Sequence, residues 1–205
     1  MIMKSFLSIG CLLFALPFQA IAQEWELEKD KADIQVFTKK VEGSAFKAYR
    51  AVMTMETTVV ALDKLMRDQK AMTTWFDRCL VCEQLKQVSE NEFYIYFVND
   101  GPWPVQDRDN ISHAIFEYRE DGGLLISLTG VADYLPTKKN LVRLPVITAH
   151  WEFQPLADGK VKIVQQAHID LGGSVPGWVA NLALVDSPFN TMVNLRNTLR
   201  ERAKQ

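Results

Sequence analysis

Cys79 and Cys82, separated by two residues, form the spacing in this sequence that most resembles a chemical motif. A C-x-x-C pair can form a disulfide, bind a metal or carry out redox chemistry. A zinc site needs more ligands than one such pair, and a redox site needs a cysteine whose pKa is lowered at a helix N-terminus. Residues 78–83 instead resemble the start of a strand. The spacing therefore predicts either a local structural disulfide between Cys79 and Cys82 or two unreactive thiols.

Asp107, Arg108 and Asp109 form a second cluster, in which two carboxylates flank a guanidinium group. Such a cluster could hold a charged substrate. Successive side chains of a strand point to opposite faces, however, so Arg108 would face away from both aspartates. The pattern favours a structural ion pair or turn over catalysis, and we predict no catalytic residue here.

The histidines are His113, His150 and His168, and no two of them have the spacing of metal ligands on one helix. A metal site needs two or three such ligands converging with a carboxylate or a thiolate. We therefore expect neither a metal nor a cofactor. The length of 205 residues is typical of one domain. The formal net charge of −2 is not typical of a nucleic-acid-binding protein.

The first 22 residues have the pattern of a secretory signal peptide. Lys4 precedes an uncharged apolar run at residues 5–18, and the small residues Ala20 and Ala22 follow it. The run is shorter than a membrane-spanning helix, and Pro17 interrupts it. We expect cleavage after Ala22, one domain over residues 23–205 and a periplasmic or secreted location.

The remaining sequence must supply the elements that position these side chains. Apolar periodicity and turn residues predict helices at 25–31 and 57–70, and strands at 33–39, 45–54, 80–88, 92–98, 110–118, 124–129, 148–154 and 160–169. Residues 130–145 are predicted to be a long loop.

A helical apolar stripe begins after Gly177, and Pro188 within it predicts a kink or break near residues 185–187. Antiparallel strands in succession need a cover on one face, and this helix is the natural one. The order of elements therefore predicts an α+β fold with a cavity between sheet and helix.

Four segments resemble the START domain, the steroidogenic-acute-regulatory-protein-related lipid transfer family, and in particular bacterial secreted members. They are Gly-Pro-Trp-Pro-Val-Gln-Asp-Arg-Asp at 101–109, His-Trp-Glu-Phe at 150–153, and the stretches at 172–181 and 187–196. The resemblance implies a helix-grip fold, a curved antiparallel sheet wrapped around a long C-terminal helix with an internal hydrophobic cavity. It also implies binding and transfer of a lipid or another hydrophobic small molecule, without catalysis in most members.

The resemblance also suggests which residues line or gate the cavity. These candidates are Phe93, Ile95, Phe97, Arg108, His113, Leu141, Trp151, Phe153, Gln165, Trp178, Leu182, Val185, Phe189 and Met192. Among them, Arg108 could contact a lipid head group, and His113 and Gln165 could orient a polar end. Sterol-binding members carry an acidic–basic pair near the positions of Ile95 and Ala114, neither of which is charged here.

Entry of a ligand would need movement of the C-terminal helix and of the 130–145 loop. In that loop, Leu141, Leu144 and Val146 could touch a membrane, while Lys138, Lys139 and Arg143 could meet anionic head groups. We expect a monomer that contacts membranes transiently.

Two alternatives remain open. One is a helix-grip enzyme, a hydrolase or cyclase, although the sequence shows no nucleophile elbow and no carboxylate pair. The other is a pure protein-interaction module, which a cavity below about 300 Å³ would favour.

Overall fold

A computed structural model describes residues 24–101, 103, 105–173, 175 and 177–204, apart from the side chains of 177–183. The predicted signal peptide at residues 1–22 and its cleavage after Ala22 lie outside the described residues.

The described residues form three α-helices, a short 3-10 helix at Ala132–Tyr134 and ten strands. The strands are β1 (Glu26–Lys31), β2 (Ile34–Lys39), β3 (Ala48–Glu56), β4 (Cys79–Ser89), β5 (Glu92–Asn99), β6 (Arg108–Tyr118), β7 (Leu124–Gly130), β8 (Val142–Arg143), β9 (Val146–Pro155) and β10 (Lys160–Asp170). The helices are α1 (Val59–Arg67), α2 (Gln69–Trp75) and α3 (Gly177–Arg202).

The strands form one sheet in the order β1-β2-β3-β10-β9-β7-β6-β5-β4, in which all neighbours are antiparallel. The two-residue strand β8 pairs with β6 in parallel. Helix α3 packs against β2, β3 and α2. These features confirm the predicted α+β class and the curved antiparallel sheet around a C-terminal helix.

The core lies between this sheet and the helices. Met192, Leu195 and Leu199 of α3 are buried in it at steps of three and four residues, which places them on one face of the helix. Trp75 of α2 is completely buried there, and its ring lies edge-on to that of Trp151, with 6.0 Å between the ring centroids. This packing fixes the position of α3 over the sheet.

The helix predicted at residues 25–31 is wrong, because this segment is strand β1. It forms a hairpin with β2 through Ala32 and Asp33, whose φ angles of 53° and 58° lie in the left-handed region. A seven-residue helix is marginal in water, whereas the edge of the sheet offers backbone hydrogen bonds.

The helix predicted at residues 57–70 is two helices joined at Asp68. The carboxylate of Asp68 accepts a hydrogen bond from the backbone N–H of Ala71 at 3.1 Å, so Asp68 ends α1 and caps α2. Of the kink or break predicted near residues 185–187, the break is absent, since α3 continues through Pro188. Burial of the apolar face of α3 offsets the hydrogen bond that proline cannot donate.

Candidate functional site

A cavity of about 260 Å³ lies between the concave face of the sheet and helices α2 and α3. Its walls are mainly apolar and include Ile95, Phe97, Phe116, Ile126 and Trp151. Leu184, Ser187, Pro188 and Thr191 of α3 line the other side. The site is thus an apolar space that one helix covers.

Alternation along the strands decides which side chains reach this cavity. Ile95 and Phe97 of β5 line it, whereas Tyr96 belongs to a second apolar cluster with Val98 and Ile111. Both faces of β5 are apolar, so its sequence alone could not tell the inner face from the outer one.

Arg108 is the buried cation of the cavity. Its side chain, 6% exposed, begins β6, and its Nη1 donates a hydrogen bond to the carbonyl oxygen of Gln106. Its Nε is buried without a hydrogen-bond partner, and no described carboxylate forms an ion pair with it. Burial lowers the pKa of Arg108 and Asp107 acts in the opposite direction, but an arginine stays protonated at neutral pH.

Polar side chains continue from Arg108 along the inner face of β6. Ser112 Oγ donates to Asn110 Oδ1 at 3.2 Å, and Asn110 Nδ2 lies 3.5 Å from Asn99 Oδ1. All three residues line the cavity. One side of the cavity is therefore polar and includes the Arg108 guanidinium.

Gln165 is a further polar residue in the mainly apolar wall of the cavity. It is 4% exposed on β10, opposite Trp151 of β9, and lines the cavity. Its Oε1 has no hydrogen-bond partner within the described part of the chain. A buried polar atom without a partner is costly and uncommon. Arg108 Nε and Gln165 Oε1 are two such atoms in residues that line the cavity.

The structure brings five of the predicted candidates together at the cavity wall: Ile95, Phe97, Arg108, Trp151 and Gln165. Phe93, Phe153 and Met192 lie in the surrounding core instead, and Val185 and Phe189 pack partly buried against that core. The side chains of Trp178 and Leu182 lie outside the described part of α3.

Two predicted candidates lie on the outer face of the sheet, so their assignment to the cavity is corrected. His113 Nε2 is 2.7 Å from Glu92 Oε1, and its ring stacks on Tyr94 with 4.9 Å between the centroids. Leu141 packs against the cluster of Tyr96, Val98 and Ile111. Neighbouring strand residues face opposite ways, which excludes His113 from the face that Ser112 and Ala114 share.

The 130–145 segment is tied to the outer face of β6. Arg143 forms two hydrogen bonds of 2.9 Å to the carboxylate of Asp109 and donates others to the carbonyl oxygens of Ala132 and Leu135. The hydrogen bond with Asp109 raises the pKa of Arg143. Leu144 is buried at the cavity wall. Arg143 and Leu144 therefore do not form the membrane-facing surface that the sequence suggested.

Sequence reasoning missed the small residues that create the space. Ala114, Ala149 and Ala167 line the cavity from β6, β9 and β10. Their signal was available, since each alternates with larger or polar neighbours, but only the strand order brings them onto one wall.

The cavity wall includes Asp77 and Arg78 beside β4, and Gly101 and Val105 of the loop before β6. The backbone N–H of Asp77 donates to Thr191 Oγ1 of α3 at 3.1 Å, and Arg78 pairs with Asp100 at 2.8 Å. In the adjacent loop, Trp103 is 93% exposed. From the sequence, Trp103 stood out only as part of the segment at residues 101–109.

Cys79 and Cys82 carry free, buried thiols rather than a disulfide. Burial raises the pKa of Cys79 to about 11 and that of Cys82 to about 12. At neutral pH both are protonated and poor nucleophiles.

Within the described residues, no group of three or more His, Cys, Asp or Glu side chains could hold a metal ion. No described helix is long and apolar enough to cross a membrane.

Comparison with known proteins gives consistent matches. The START domain model matches residues 14–205. An uncharacterized protein of Pseudomonas aeruginosa is 32% identical over 194 residues, which are 95% of this chain and 96% of that protein.

Solved structures are similar over most of the chain. The crystal structure of the STAR-related lipid transfer protein from Xanthomonas axonopodis is 36% identical with a TM-score of 0.80, covering 86% of this chain and 98% of that one. Human StAR-related lipid transfer protein 5 is 17% identical with a TM-score of 0.81 and 90% coverage of each chain, which shows a likeness of fold.

Proposed function

The chain belongs to the START domain family, and we propose that it binds a lipid or similar hydrophobic molecule and transfers it between membranes. The observation that carries this proposal is the apolar cavity with two unpartnered polar atoms, Arg108 Nε and Gln165 Oε1. The name of the Xanthomonas protein, a lipid transfer protein, supports it.

Apolar burial supplies the driving force for binding. Each methylene group that leaves water contributes about 0.8 kcal/mol, so an acyl chain needs no covalent step to be held. We propose binding rather than catalysis because the described lining of the cavity is mainly apolar.

Arg108 and Gln165 define the polar end of the ligand. The Arg108 guanidinium would pair with an anionic oxygen, and Gln165 Oε1 would accept a hydrogen bond from a hydroxyl or N–H group. A lipid whose head group carries both satisfies the two buried atoms. The uncharged Ile95 and Ala114 give no support to a sterol.

The cavity volume bears on the alternative of an interaction module. About 260 Å³ is slightly below the roughly 300–1,000 Å³ of typical small-molecule sites, which by size alone favours that alternative. Two polar atoms without a described partner, Arg108 Nε and Gln165 Oε1, belong to residues that line this cavity, however. We therefore favour ligand binding, with expansion of the cavity when α3 moves.

The gate in this proposal consists of α3 and the 130–145 segment. Pro188 lies where α3 borders the cavity, and it cannot donate a backbone hydrogen bond. The Arg143–Asp109 pair holds the 130–145 segment in place, so α3 is the moving part and the segment is the fixed rim. Trp103, in the loop before β6, would contact the membrane.

The setting of this activity follows from the predicted signal peptide. We propose a monomeric, secreted bacterial protein that works in the periplasm after cleavage behind Ala22.

Native mass spectrometry of protein purified from the periplasm tests the function. We expect one bound lipid, which extraction and lipid analysis would identify. A protein that is empty as purified and takes up no lipid from vesicles would contradict ligand binding and favour the interaction module. Release of a shortened lipid on incubation would favour the enzyme.

A further inference from the structure

A second concave site lies near the C-terminal end of α3, and none of its described lining residues also lines the cavity. This basic groove has a volume of about 840 Å³ between α3, the start of α1 and the end of β3. The size lies within the range of small-molecule sites, roughly 300–1,000 Å³. The described residues that line the groove differ in composition from those that line the cavity.

Basic side chains dominate the groove. Six of them line it, against the acidic pair Asp33 and Glu56: Lys64, Lys160, Arg196, Arg200, Arg202 and Lys204. Two of the six are paired, Lys160 with Asp158 and Arg202 with Asp68. The other four form no ion pair with a described residue. This concentration of positive charge contrasts with the net charge of −2 of the whole chain.

Helical spacing places two of these cations on one face of α3. Arg196 and Arg200 are four residues apart and share one face of α3, and Lys204 follows in the turn after the helix. Lys64 of α1 lines the groove with them. Cations from two helices therefore converge on one concave surface.

The N-terminus of α1 adds to the positive potential. Thr57, the cap residue Thr58 and Ala61 line the groove, and no acidic residue occupies the first turn of α1. The positive end of the helix dipole is thus uncompensated, and the threonine hydroxyls can donate hydrogen bonds.

Arg196 supplies an independent indication of a ligand. Its Nη1 donates to the carbonyl oxygen of Ala32 at 2.7 Å, while its Nε is buried and lacks a hydrogen-bond partner among the described residues. Ala32 and Asp33 both have left-handed backbone conformations without being glycine, which costs energy. One guanidinium therefore holds a strained turn and has a buried Nε that no described protein atom pairs with.

We infer that the basic groove binds a phosphate group, either of a soluble anion or of an anionic lipid head group. Phosphate oxygens accept several charge-assisted hydrogen bonds at once, which suits guanidinium, ammonium and hydroxyl donors around one concave surface. A concave groove admits a discrete phosphate group better than a flat surface does. The site is separate from the lipid cavity, so a failure of one proposal leaves the other standing.

The experiment compares two charge-matched variants of the exported protein. In the groove variant, Lys64→Gln and Arg200→Gln remove two exposed cations, so the fold should be unaffected. In the control, Lys86→Gln and Lys139→Gln remove two exposed cations elsewhere. Titration calorimetry with inorganic pyrophosphate and sedimentation with phosphatidylglycerol or phosphatidylcholine vesicles measure binding.

We expect the wild type and the control to bind with equal affinity and the groove variant to bind about tenfold more weakly or worse. Pyrophosphate binding that follows this pattern supports a soluble phosphate ligand. The same pattern with phosphatidylglycerol vesicles alone supports a lipid-borne phosphate. Absence of binding to every probe, or equal affinity of the groove variant and the control, overturns the inference.

Discussion

Arg143 and Asp109 form a two-point ion pair, in which Arg143 Nε lies 2.9 Å from Asp109 Oδ1 and Nη2 lies 2.9 Å from Oδ2. The two side chains are 7% and 0% exposed. Tyr96 donates a further hydrogen bond to the same carboxylate at 3.2 Å. Since Arg143 also binds carbonyl oxygens of the preceding loop, this pair joins the 130–145 segment to the central strand β6.

Removing one partner of this pair should destabilise the protein strongly. Asp109→Asn leaves the Arg143 charge buried and unpaired, and we expect the free energy of unfolding to fall by about 3–5 kcal/mol. Urea denaturation followed by circular dichroism measures the change.

The matched control breaks an exposed pair. Asp158→Asn removes the partner of Lys160, in a surface pair screened by water, so we expect little change. Asp109→Leu combined with Arg143→Leu should be less damaging than Asp109→Asn, because neither charge remains buried. Equal effects of Asp109→Asn and Asp158→Asn would mean that the buried pair does not hold the segment.

Gln165 should lower the stability of the ligand-free protein and strengthen lipid binding. Gln165→Leu removes a buried oxygen without a partner, so the ligand-free protein should gain about 1 kcal/mol of unfolding free energy. The same change should weaken lipid binding several-fold, roughly the effect of one hydrogen bond. Thermal denaturation and titration with the co-purified lipid measure the two quantities.

Gln166 provides the control on the same strand. It points to the other face, where its Oε1 accepts a hydrogen bond from Arg50 Nε at 2.9 Å. Gln166→Leu should therefore leave lipid binding unchanged and give no gain in stability. If both variants bind lipid like the wild type, Gln165 does not contact the ligand.

Filling the cavity should abolish lipid uptake. Ala149→Phe adds a ring to the wall of a cavity of only about 260 Å³, so we expect loss of the co-purified lipid in native mass spectrometry. Overpacking should also cost about 1–3 kcal/mol of stability. Thr148→Phe, on the exposed face of the same strand, should retain the lipid. Retention of lipid by Ala149→Phe would place the ligand elsewhere.

The two thiols should make the protein less stable at alkaline pH. An unfolded thiol loses its proton near pH 9, but burial keeps the pKa of Cys79 at about 11 and that of Cys82 at about 12. Above pH 9 the unfolded state therefore binds fewer protons, and stability falls as the pH rises. By pH 10 the loss should be about 1 kcal/mol per thiol.

Comparison with a double alanine variant isolates this effect, because burial also raises the pKa of Tyr49 and acts in the same direction. Urea denaturation at pH 8 and pH 10 should show a smaller fall for Cys79→Ala with Cys82→Ala than for the wild type. An identical fall in both proteins would exclude the thiols as its source.

The polar candidates and strand β5 show how far the sequence predicts this site. Arg108 was identifiable from the charged cluster at residues 107–109, and Gln165 because a polar residue on an apolar strand face stands out. His113 stood out in the same way yet lies on the outer face, since a shift of one residue along a strand reverses its direction. The face of β5 was undecidable because Tyr94 and Tyr96 are as bulky as Ile95 and Phe97.

The elements were predictable where the pattern was local, and less so where packing decides. Strands β2 to β7, β9 and β10 follow from alternation and turn residues. Strand β1 does not, because Glu26–Lys31 is charged and gains its hydrogen bonds from β2. Arg143 and Asp109 are 34 residues apart in the sequence. No local pattern around either residue predicts that the two form a pair.

Trp103 should be needed for transfer and not for folding. Its indole is 93% exposed in the loop from which Gly101 and Val105 line the cavity, and tryptophan favours the interface between membrane and water. Trp103→Ala should leave the melting temperature unchanged and slow lipid transfer between vesicles by about tenfold, the effect of losing one buried side chain at the membrane. Leu156→Ala is the control, since Leu156 is also exposed but its backbone N–H bonds to the carbonyl oxygen of Lys160, and neither residue lines the cavity. Because native mass spectrometry measures occupancy separately, a slow but fully loaded Trp103→Ala protein would locate the defect in membrane contact. Equal transfer rates of the two variants would show that the protein approaches the membrane through another surface.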